Sequence, residues 1–168
     1  MNKREVHIVG CGFLGSNLIF DLCRSDLFKV IHIYDFDKIS KFDRYFPFWI
    51  ESKRAYKVDV IKASLDICFN NISIFSYKQK ITSKFYNKFV IDCRDRKDVD
   101  INSTISVSLD QNFLIIDCLN SQAGVREFSN YYTKKSSNYI FYATCLIIKF
   151  IRQGKYTGRY MYNLIEET

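Results

Sequence analysis

Val6-His7-Ile8-Val9-Gly10-Cys11-Gly12-Phe13-Leu14-Gly15 is the stretch that decides the fold. Its first four residues form a short apolar run that ends in glycine, a pattern that predicts a buried β-strand. The next six spell Gly-x-Gly-x-x-Gly, and the helical spacing of the apolar residues in 16–23 predicts a helix behind them. A strand, a glycine turn and a helix in this order are the setting in which such a turn binds nucleotide phosphates.

Each glycine of the turn has its own predicted role. Gly10 permits the tight turn, Gly12 lets the backbone approach a phosphate closely, and Gly15 lets the helix pack on the strand. The helix N-terminus then offers unpaired N–H groups and the positive end of its dipole to the phosphates. Phe13 and Leu14, which open this helix, belong to the same predicted nucleotide contact.

An acidic residue follows at the expected distance. Asp35 ends a second predicted strand, Val30–Tyr34, and stands twenty positions after Gly15. A carboxylate at this place can accept hydrogen bonds from ribose hydroxyls. These features fit NAD and ATP equally well. The alternative without a binding function is a glycine turn that has no ligand and an aspartate that caps a loop. We favour nucleotide binding because strand, turn, helix and acid occur together.

The rest of the chain alternates between strand and helix patterns. Further strands are predicted over 72–77, 88–92, 113–118, 125–132 and 159–164, and helices over 55–68, 98–109 and from Ser136 or Ser137 to Gln153. The alternation predicts one α/β domain over residues 1–168, with a Rossmann-like, doubly wound, mostly parallel sheet and helices on both faces. The run 113–118 is apolar almost throughout, which is typical of a parallel strand buried on both faces.

Composition narrows the class of protein. Hydrophobic residues make up 48% and charged residues 26%, which is typical of a folded domain. The net charge of +7 suits an anionic ligand, but the lysines are scattered, which favours a solvated basic surface over a nucleic-acid face. The six cysteines form no C-x-x-C pair and there are two histidines, so a zinc site is not expected. Unpaired cysteines and the lack of a signal or membrane segment predict a cytoplasmic protein.

Three later segments share a pattern with a known group of enzymes. Asp35–Tyr45, D-F-D-K-I-S-K-F-D-R-Y, resembles a D-x-D-x-V…N-L-x-R-Q stretch, and Arg54–Asp59 resembles G-x-P-K-[AV]-E at a helix start. Val90–Asp95 resembles V-[VL]-D-x-[TS]-D, and the thirteen positions from Arg44 to Lys57 agree with the same pattern. The chain therefore resembles the adenylating family that includes the ubiquitin-activating enzymes, ThiF and MoeB. Asn102, the late helix and the closing strand are also similar to that family.

The resemblance implies that the chain adenylates a carboxylate with ATP and Mg²⁺. Carboxylate and phosphate repel each other, so cations must offset their charge in the transition state. The resemblance implies phosphate contacts from Arg44 and Lys57 and a magnesium ligand in Asp95. Further nucleotide contacts would come from the loop after the second strand, namely Asp35, Asp37 and Lys41. The alternative is that Arg44, Lys57 and Asp95 are surface charges with no role in binding or catalysis.

The implied acceptor is the C-terminal carboxylate of a small ubiquitin-like or sulfur-carrier protein. A peptide or a carboxylate on a modified tRNA is a less favoured acceptor, and a homodimer is implied as well. Cys118 is expected to be a buried, inert thiol, so no thioester transfer is predicted.

The sequence also departs from the family. The family pattern has asparagine at the position of Lys41, glutamine at the position of Tyr45 and asparagine at the position of Arg96. The loop before Arg44 is about two residues shorter than in that pattern. No counterpart of the family's N-terminal helical extension or zinc-binding cysteine pairs is found. These departures keep a second hypothesis open, an inactive binding module. A third hypothesis is an NAD(P)-dependent oxidoreductase. It is less favoured, because the sequence predicts no second domain to hold a substrate over the nicotinamide and no catalytic Tyr-x-x-x-Lys in a suitable helix.

Overall fold

A computed structural model describes residues 5–40, 54–95, 99–110, 113–118, 139–154 and 156–165. Within these residues, seven strands form one sheet in the order β3-β2-β1-β4-β5-β6-β7, and there are three helices. The elements are β1 (Glu5–Val9), α1 (Phe13–Ser25), β2 (Val30–Tyr34), α2 (Lys57–Cys68), β3 (Ser73–Tyr77), β4 (Val90–Asp92), β5 (Ile105–Asp110), β6 (Phe113–Cys118), α3 (Ile140–Gln153) and β7 (Arg159–Asn163).

The strand order places a ligand crevice between β1 and β4. The strands β1 to β5 run parallel, and β6 runs antiparallel to both of its neighbours. The chain moves outward from β1 through β2 and β3, then returns to pair β4 with the other side of β1. In open α/β sheets, ligands bind outside the carboxyl ends of the strands at such a reversal. The predicted mostly parallel α/β fold is confirmed, and the glycine turn lies at this reversal.

The two faces of the sheet are covered differently. The helices α1, α2 and α3 contribute buried side chains to one cluster, which includes Ile8 and Ile33 from the sheet. Side chains alternate between faces along a strand, and on the other face Val9 and Tyr34 pack against Ile81, which follows β3. The chain that follows β3 thus covers the second face next to the crevice.

The prediction of a helix over 98–109 is wrong for the described residues. The segment from Ile105 forms the strand β5, and Asn102 has φ +56°, which is incompatible with a right-handed helix. Ile105 and Val107 are buried, whereas the intervening Ser106 is half-buried. This two-residue alternation of β-branched and small polar side chains fits a strand next to β4.

The prediction that 113–118 is a parallel strand is also wrong. Only two residues separate β5 from β6, which is enough for a hairpin but far too few for a parallel crossover. Leu114, Ile116 and Cys118 are buried, whereas Phe113 is exposed. An antiparallel strand packed on one face explains this burial better than a strand enclosed on both.

The other predicted elements are confirmed within the described residues. The predicted 16–23 helix begins earlier, at Phe13, and α3 ends before Gly154, which has φ +72° as a helix stop requires. The predicted strand over 125–132 and the cap at Ser136 or Ser137 lie outside the described residues. None of the described helices has the length and apolar character needed to cross a bilayer.

Candidate nucleotide-binding site

The glycine turn is built so tightly that two of its positions exclude a side chain. Gly10 has φ +92°, and a Cβ there would lie 2.9 Å from the backbone nitrogen of Arg94. A Cβ at Gly15 would overlap the Gly10 carbonyl oxygen and lie 3.0 Å from its carbonyl carbon. The N–H of Gly10 also donates to the carbonyl of Tyr34 at 2.9 Å, which joins the turn to β2. These contacts fix the start of α1 against the ends of β1 and β4.

Gly12 is different, because the described residues leave the space around it open. It is the N-cap of α1, and no side chain of the described residues caps the helix there. A Cβ at Gly12 would have no atom of the described residues within 4 Å. The first N–H groups of α1 and the helix dipole therefore face an open space next to Gly12, which suits an anion.

Asp35 connects the glycine turn to the loop after β2. It is 9% exposed, and its Oδ2 accepts a hydrogen bond from the Cys11 N–H at 2.6 Å. Its Oδ1 accepts one from the Asp37 N–H at 2.8 Å. Burial raises the pKa of Asp35, while these two N–H donors and the charge of Lys57 act in the opposite direction. The carboxylate is thus held in one orientation and retains lone pairs for a further donor.

Lys57 is brought to the same place by backbone pairing. The N–H of Lys57 donates to the carbonyl of Asp37 at 3.0 Å, and the N–H of Ile39 donates to the carbonyl of Ala55 at 2.8 Å. These bonds set the first residue of α2 beside the loop after β2. Lys57 as a whole residue is only 8% exposed, which is unusual for a lysine. Lys57 and Asp35 line the same pocket, and the ammonium acts to lower the pKa of Asp35 against the larger effect of burial.

A buried ion pair shapes the loop after β4. Arg94 donates to both carboxylate oxygens of Asp92, from Nε at 3.0 Å and from a terminal nitrogen at 2.9 Å. The backbone N–H of Arg94 donates to the same carboxylate at 3.1 Å, and the guanidinium also donates to the carbonyl of Val99 at 2.7 Å. Asp92 and Arg94 therefore set the course of the backbone that carries Asp95.

A pocket of about 410 Å³ lies at the carboxyl ends of β1, β2 and β4. This volume is within the range of small-molecule sites. Six of the predicted site residues line it, namely Gly10, Gly12, Asp35, Asp37, Lys57 and Asp95. A glycine turn, a buried lysine and three carboxylates thus meet in one cavity.

Comparison with known proteins identifies the family. The family model described as ThiF matches residues 1–157, which is most of the chain. The chain belongs to the ThiF family. The resemblance of the sequence motifs to the adenylating family is thereby confirmed. A search of the curated proteins gave no match.

Solved structures similar to this ThiF-family chain support the fold. Escherichia coli MccB with AMPCPP and MccA has a TM-score of 0.68 and 16% identity, covering 97% of this chain and 64% of that one. E. coli MccB with ATP has a TM-score of 0.64 and 18% identity, covering 94% and 58%. PaaA has a TM-score of 0.60 and 12% identity, covering 98% and 62%. The ThiF-family chain thus spans less than two thirds of each of these proteins.

The remaining predicted residues do not line the pocket or lie outside the described part. Phe13, Leu14 and Gly15 belong to α1 but are not among the lining residues, and Leu14 is buried in the core. Arg44 and Lys41 lie outside the described residues. Asn102, matched by resemblance to a helical asparagine, lies outside any described helix with φ +56° and donates to the carbonyl of Phe85 at 3.0 Å.

Sequence reasoning missed eight other lining residues of the ThiF-family pocket, among them Tyr34, Gln79, Lys80 and Ile81. Tyr34 ends β2, and the other three follow the end of β3. Side chains just beyond the carboxyl ends of parallel strands are the usual source of site residues in such folds. The positions after β3 could have been found by applying that rule to every predicted strand.

The raised pKa of Asp35 predicts a dependence of stability on pH. A carboxyl with a raised pKa binds more protons in the folded chain than in the unfolded chain, so its contribution to the unfolding free energy falls as pH rises. We therefore expect the wild type to lose stability relative to Asp35→Asn as pH rises from the ordinary pKa of 3.8 through the raised value. Urea unfolding of both proteins across this range measures the difference. A difference that does not change with pH would contradict the prediction.

Proposed function

We propose that this chain binds Mg·ATP in the pocket and adenylates a carboxylate. The observation that carries the proposal is the buried Lys57, placed with Asp35 beside an uncapped helix N-terminus. In this arrangement the ribose hydroxyls donate to Asp35, and the phosphates lie along the open side of Gly12. The Lys57 ammonium then meets the phosphate charge in a poorly solvated site, where electrostatic attraction is strong.

The three carboxylates of the pocket support a role for a divalent cation. Asp35, Asp37 and Asp95 would together repel a triphosphate. The lining lysines Lys57 and Lys80 offset only part of this charge, because the third lining cation, Arg94, is paired with Asp92. Carboxylate oxygens are the protein ligands that Mg²⁺ prefers, alongside phosphate oxygens and water. We propose Asp95 as the magnesium ligand. The bound ion would neutralise phosphate charge, and the protein residues would orient the nucleotide around it.

The proposed reaction needs no general base. A carboxylate is already ionised near pH 7, and its oxygen attacks the α-phosphorus of ATP. A new C–O–P linkage forms, the bond from the α-phosphorus to the bridging oxygen breaks, and pyrophosphate leaves with the electron pair. Lys57, and by resemblance Arg44, would offset the charge that develops on the phosphate oxygens.

We propose the C-terminal carboxylate of a small ubiquitin-like or sulfur-carrier protein as the acceptor. The support is the family and the crystal structures of E. coli MccB, one of which contains ATP and another MccA. A peptide terminus is the closest competing acceptor. The family resemblance also supports a homodimer, and the free cysteines support a reducing, cytoplasmic location.

One structural observation favours a second candidate function, nucleotide binding without turnover. Arg94 stands where the family pattern has serine or threonine, and its guanidinium binds Asp92 and Val99. The side-chain amide of Asn102 donates to the Phe85 carbonyl. Two positions of the family pattern thus have local structural partners here, as in a chain that retains the fold but has lost the reaction.

The decisive experiment compares Lys57→Met with Lys62→Met. Both changes remove one lysine charge from α2, but Lys62 forms an exposed pair with Asp66, away from the pocket. Mg·ATP at 100 times its dissociation constant should stabilise the wild type by about 2.7 kcal/mol. That corresponds to a rise in Tm of roughly 5 to 10 °C for a domain of this size. We expect Lys57→Met to lose most of this shift and Lys62→Met to retain it.

Pyrophosphate–ATP exchange with a carrier protein then separates the two candidate functions. Adenylation predicts exchange that falls by about 10²- to 10³-fold in Lys57→Met. A thermal shift without exchange for any carrier or peptide would favour the binding module. A shift with NADH and none with ATP would reject the proposal and favour the oxidoreductase.

A further inference from the structure

Both histidines of the chain lie next to each other on the sheet. His7 of β1 is the register partner of His32 of β2, and Glu5 precedes His7 by two residues on the same strand. Residues two apart on a strand point to the same face. The three side chains, here called the histidine cluster, therefore meet on the sheet face opposite the helices. None of them lines the nucleotide pocket.

The nitrogens of both rings point toward one carboxylate. His7 Nε2 lies 2.7 Å from Glu5 Oε1, and His32 Nε2 lies 3.4 Å from the same oxygen. The two imidazole rings are stacked, with centroids 4.5 Å apart and planes 7° from parallel. One ligand atom from each of the three residues can be chosen so that all lie within 4.8 Å of one another.

Two tyrosines hold the imidazoles in this orientation. Tyr34 Oη lies 2.9 Å from His7 Nδ1, and Tyr77 Oη lies 3.0 Å from His32 Nδ1. The two tyrosine rings stack on each other at 4.6 Å. In metal sites the nitrogen that does not ligate is commonly fixed by a hydrogen bond of this kind. The arrangement leaves each Nε2 directed at the shared carboxylate.

The burial of the two imidazoles favours the neutral form that a metal requires. Burial lowers the pKa of His7 and of His32, in both cases against the opposing effect of Glu5. Neutral imidazole has the lone pair that binds a metal ion, whereas the protonated ring does not. The Glu5 carboxylate is ionised more readily than usual, because its hydrogen bond from Lys88 lowers its pKa.

We propose that Glu5, His7 and His32 form a Zn²⁺ site, with water as the fourth ligand. Two imidazole nitrogens and one carboxylate oxygen are a donor set that Zn²⁺ accepts. Tetrahedral bonds of about 2.1 Å require ligand atoms about 3.4 Å apart. Metal binding would therefore draw together the ligand atoms, which are now up to 4.8 Å apart, and would turn the stacked imidazoles toward each other. Glu5 is half exposed, so its side chain can also rotate. The zinc site could not be predicted from the spacing of these residues in the sequence, because the pairing of two strands, and not a short motif, brings the ligands together.

Lys88 competes with the metal for Glu5. Its Nζ lies 2.9 Å from Glu5 Oε1, and its side chain is 45% exposed. An exposed ion pair of this kind contributes little and is easily broken. A divalent cation bound to the two nitrogens would displace the ammonium into solvent. Removing the Lys88 charge should therefore strengthen metal binding, the reverse of what a merely structural Lys88–Glu5 pair predicts.

The test is a titration with Zn²⁺, and with Co²⁺ as a spectroscopic probe, without nucleotide. The exposed thiols Cys68 and Cys145 are replaced by serine in every protein, because they could bind zinc themselves. We expect one equivalent to bind, with Co²⁺ absorption typical of tetrahedral coordination. We expect a loss of affinity of at least a hundredfold in His32→Ala and Glu5→Gln. Lys88→Met should bind about tenfold more tightly.

Several results would overturn the site. No binding at micromolar metal would do so, as would binding that survives in both His32→Ala and Glu5→Gln. An unchanged affinity in Lys88→Met would show that Glu5 is not a ligand. Glu5→Gln changes a half-exposed side chain and is therefore not expected to misfold, so a loss of binding in this variant cannot be attributed to unfolding. Circular dichroism verifies the fold of each variant. The outcome is independent of the proposed ATP chemistry, which uses different residues.

Discussion

The substitution Gly15→Ala is expected to destabilise the protein by about 3 kcal/mol or more. The added methyl would overlap the Gly10 carbonyl oxygen, lie 3.0 Å from the carbonyl carbon and lie 3.2 Å from Cys93 Cβ. Two of these atoms are backbone atoms of the glycine turn, so no side-chain rotation relieves the contact. The structure can adapt only if α1 moves away from β1, which would open the core around Leu18 and Ile8.

Thermal unfolding followed by circular dichroism measures this effect. A loss of 3 kcal/mol corresponds to a fall in Tm of roughly 6 to 12 °C for a domain of this size. The matched control is Gly12→Ala, because Gly12 has φ −70° and the part of the chain that the structure describes has no atom within 4 Å of an added Cβ. We expect Gly12→Ala to stay within about 1 kcal/mol of the wild type. Equal Tm values for the two variants would contradict the packing role of Gly15.

The sequence predicted the part of the site that local chemistry determines. Gly10, Gly12 and Asp35 could be placed because a strand, a tight turn and a second strand end follow one another within a short segment. Backbone conformation, the start of a helix and the burial of a strand each favour particular residue types at neighbouring positions, which form recognisable sequence patterns. These patterns were sufficient to predict β1, α1 and β2, and the bounds of β2 were predicted without error.

Long-range pairing explains what the sequence did not predict. The alternation in Ile105–Leu109 is short enough to be mistaken for a helix face, and only pairing with β4 and β6 makes it a strand. The burial of Lys57 depends on its hydrogen bond to Asp37, which lies twenty positions earlier. The histidine cluster depends on the register of β1 with β2. None of these contacts has a signature within a window of neighbouring residues.

The substitution Gly12→Ala is expected to weaken ATP binding by about a hundredfold while leaving the fold intact. Gly12 lines the pocket, and no atom of residues 5–40, 54–95, 99–110, 113–118, 139–154 or 156–165 lies within 4 Å of its Cβ position, so a methyl would project into the open space. In the proposed complex the phosphates occupy that space and accept hydrogen bonds from the first N–H groups of α1. Losing two charge-assisted hydrogen bonds of about 1.5 kcal/mol each corresponds to roughly this change in affinity.

Calorimetric titration with Mg·ATP and with adenosine distinguishes phosphate binding from a general loss of the pocket. Adenosine carries the ribose but no phosphate, so Gly12→Ala should weaken ATP far more than adenosine. Asp35→Asn should weaken both ligands, because the proposed ribose contact is made by the Asp35 carboxylate. If Gly12→Ala leaves ATP affinity unchanged, the phosphates do not lie at the start of α1, and the role proposed for Lys57 fails with it. If it weakens ATP and adenosine equally, the methyl has closed the pocket, and the uncapped helix end is not the phosphate site.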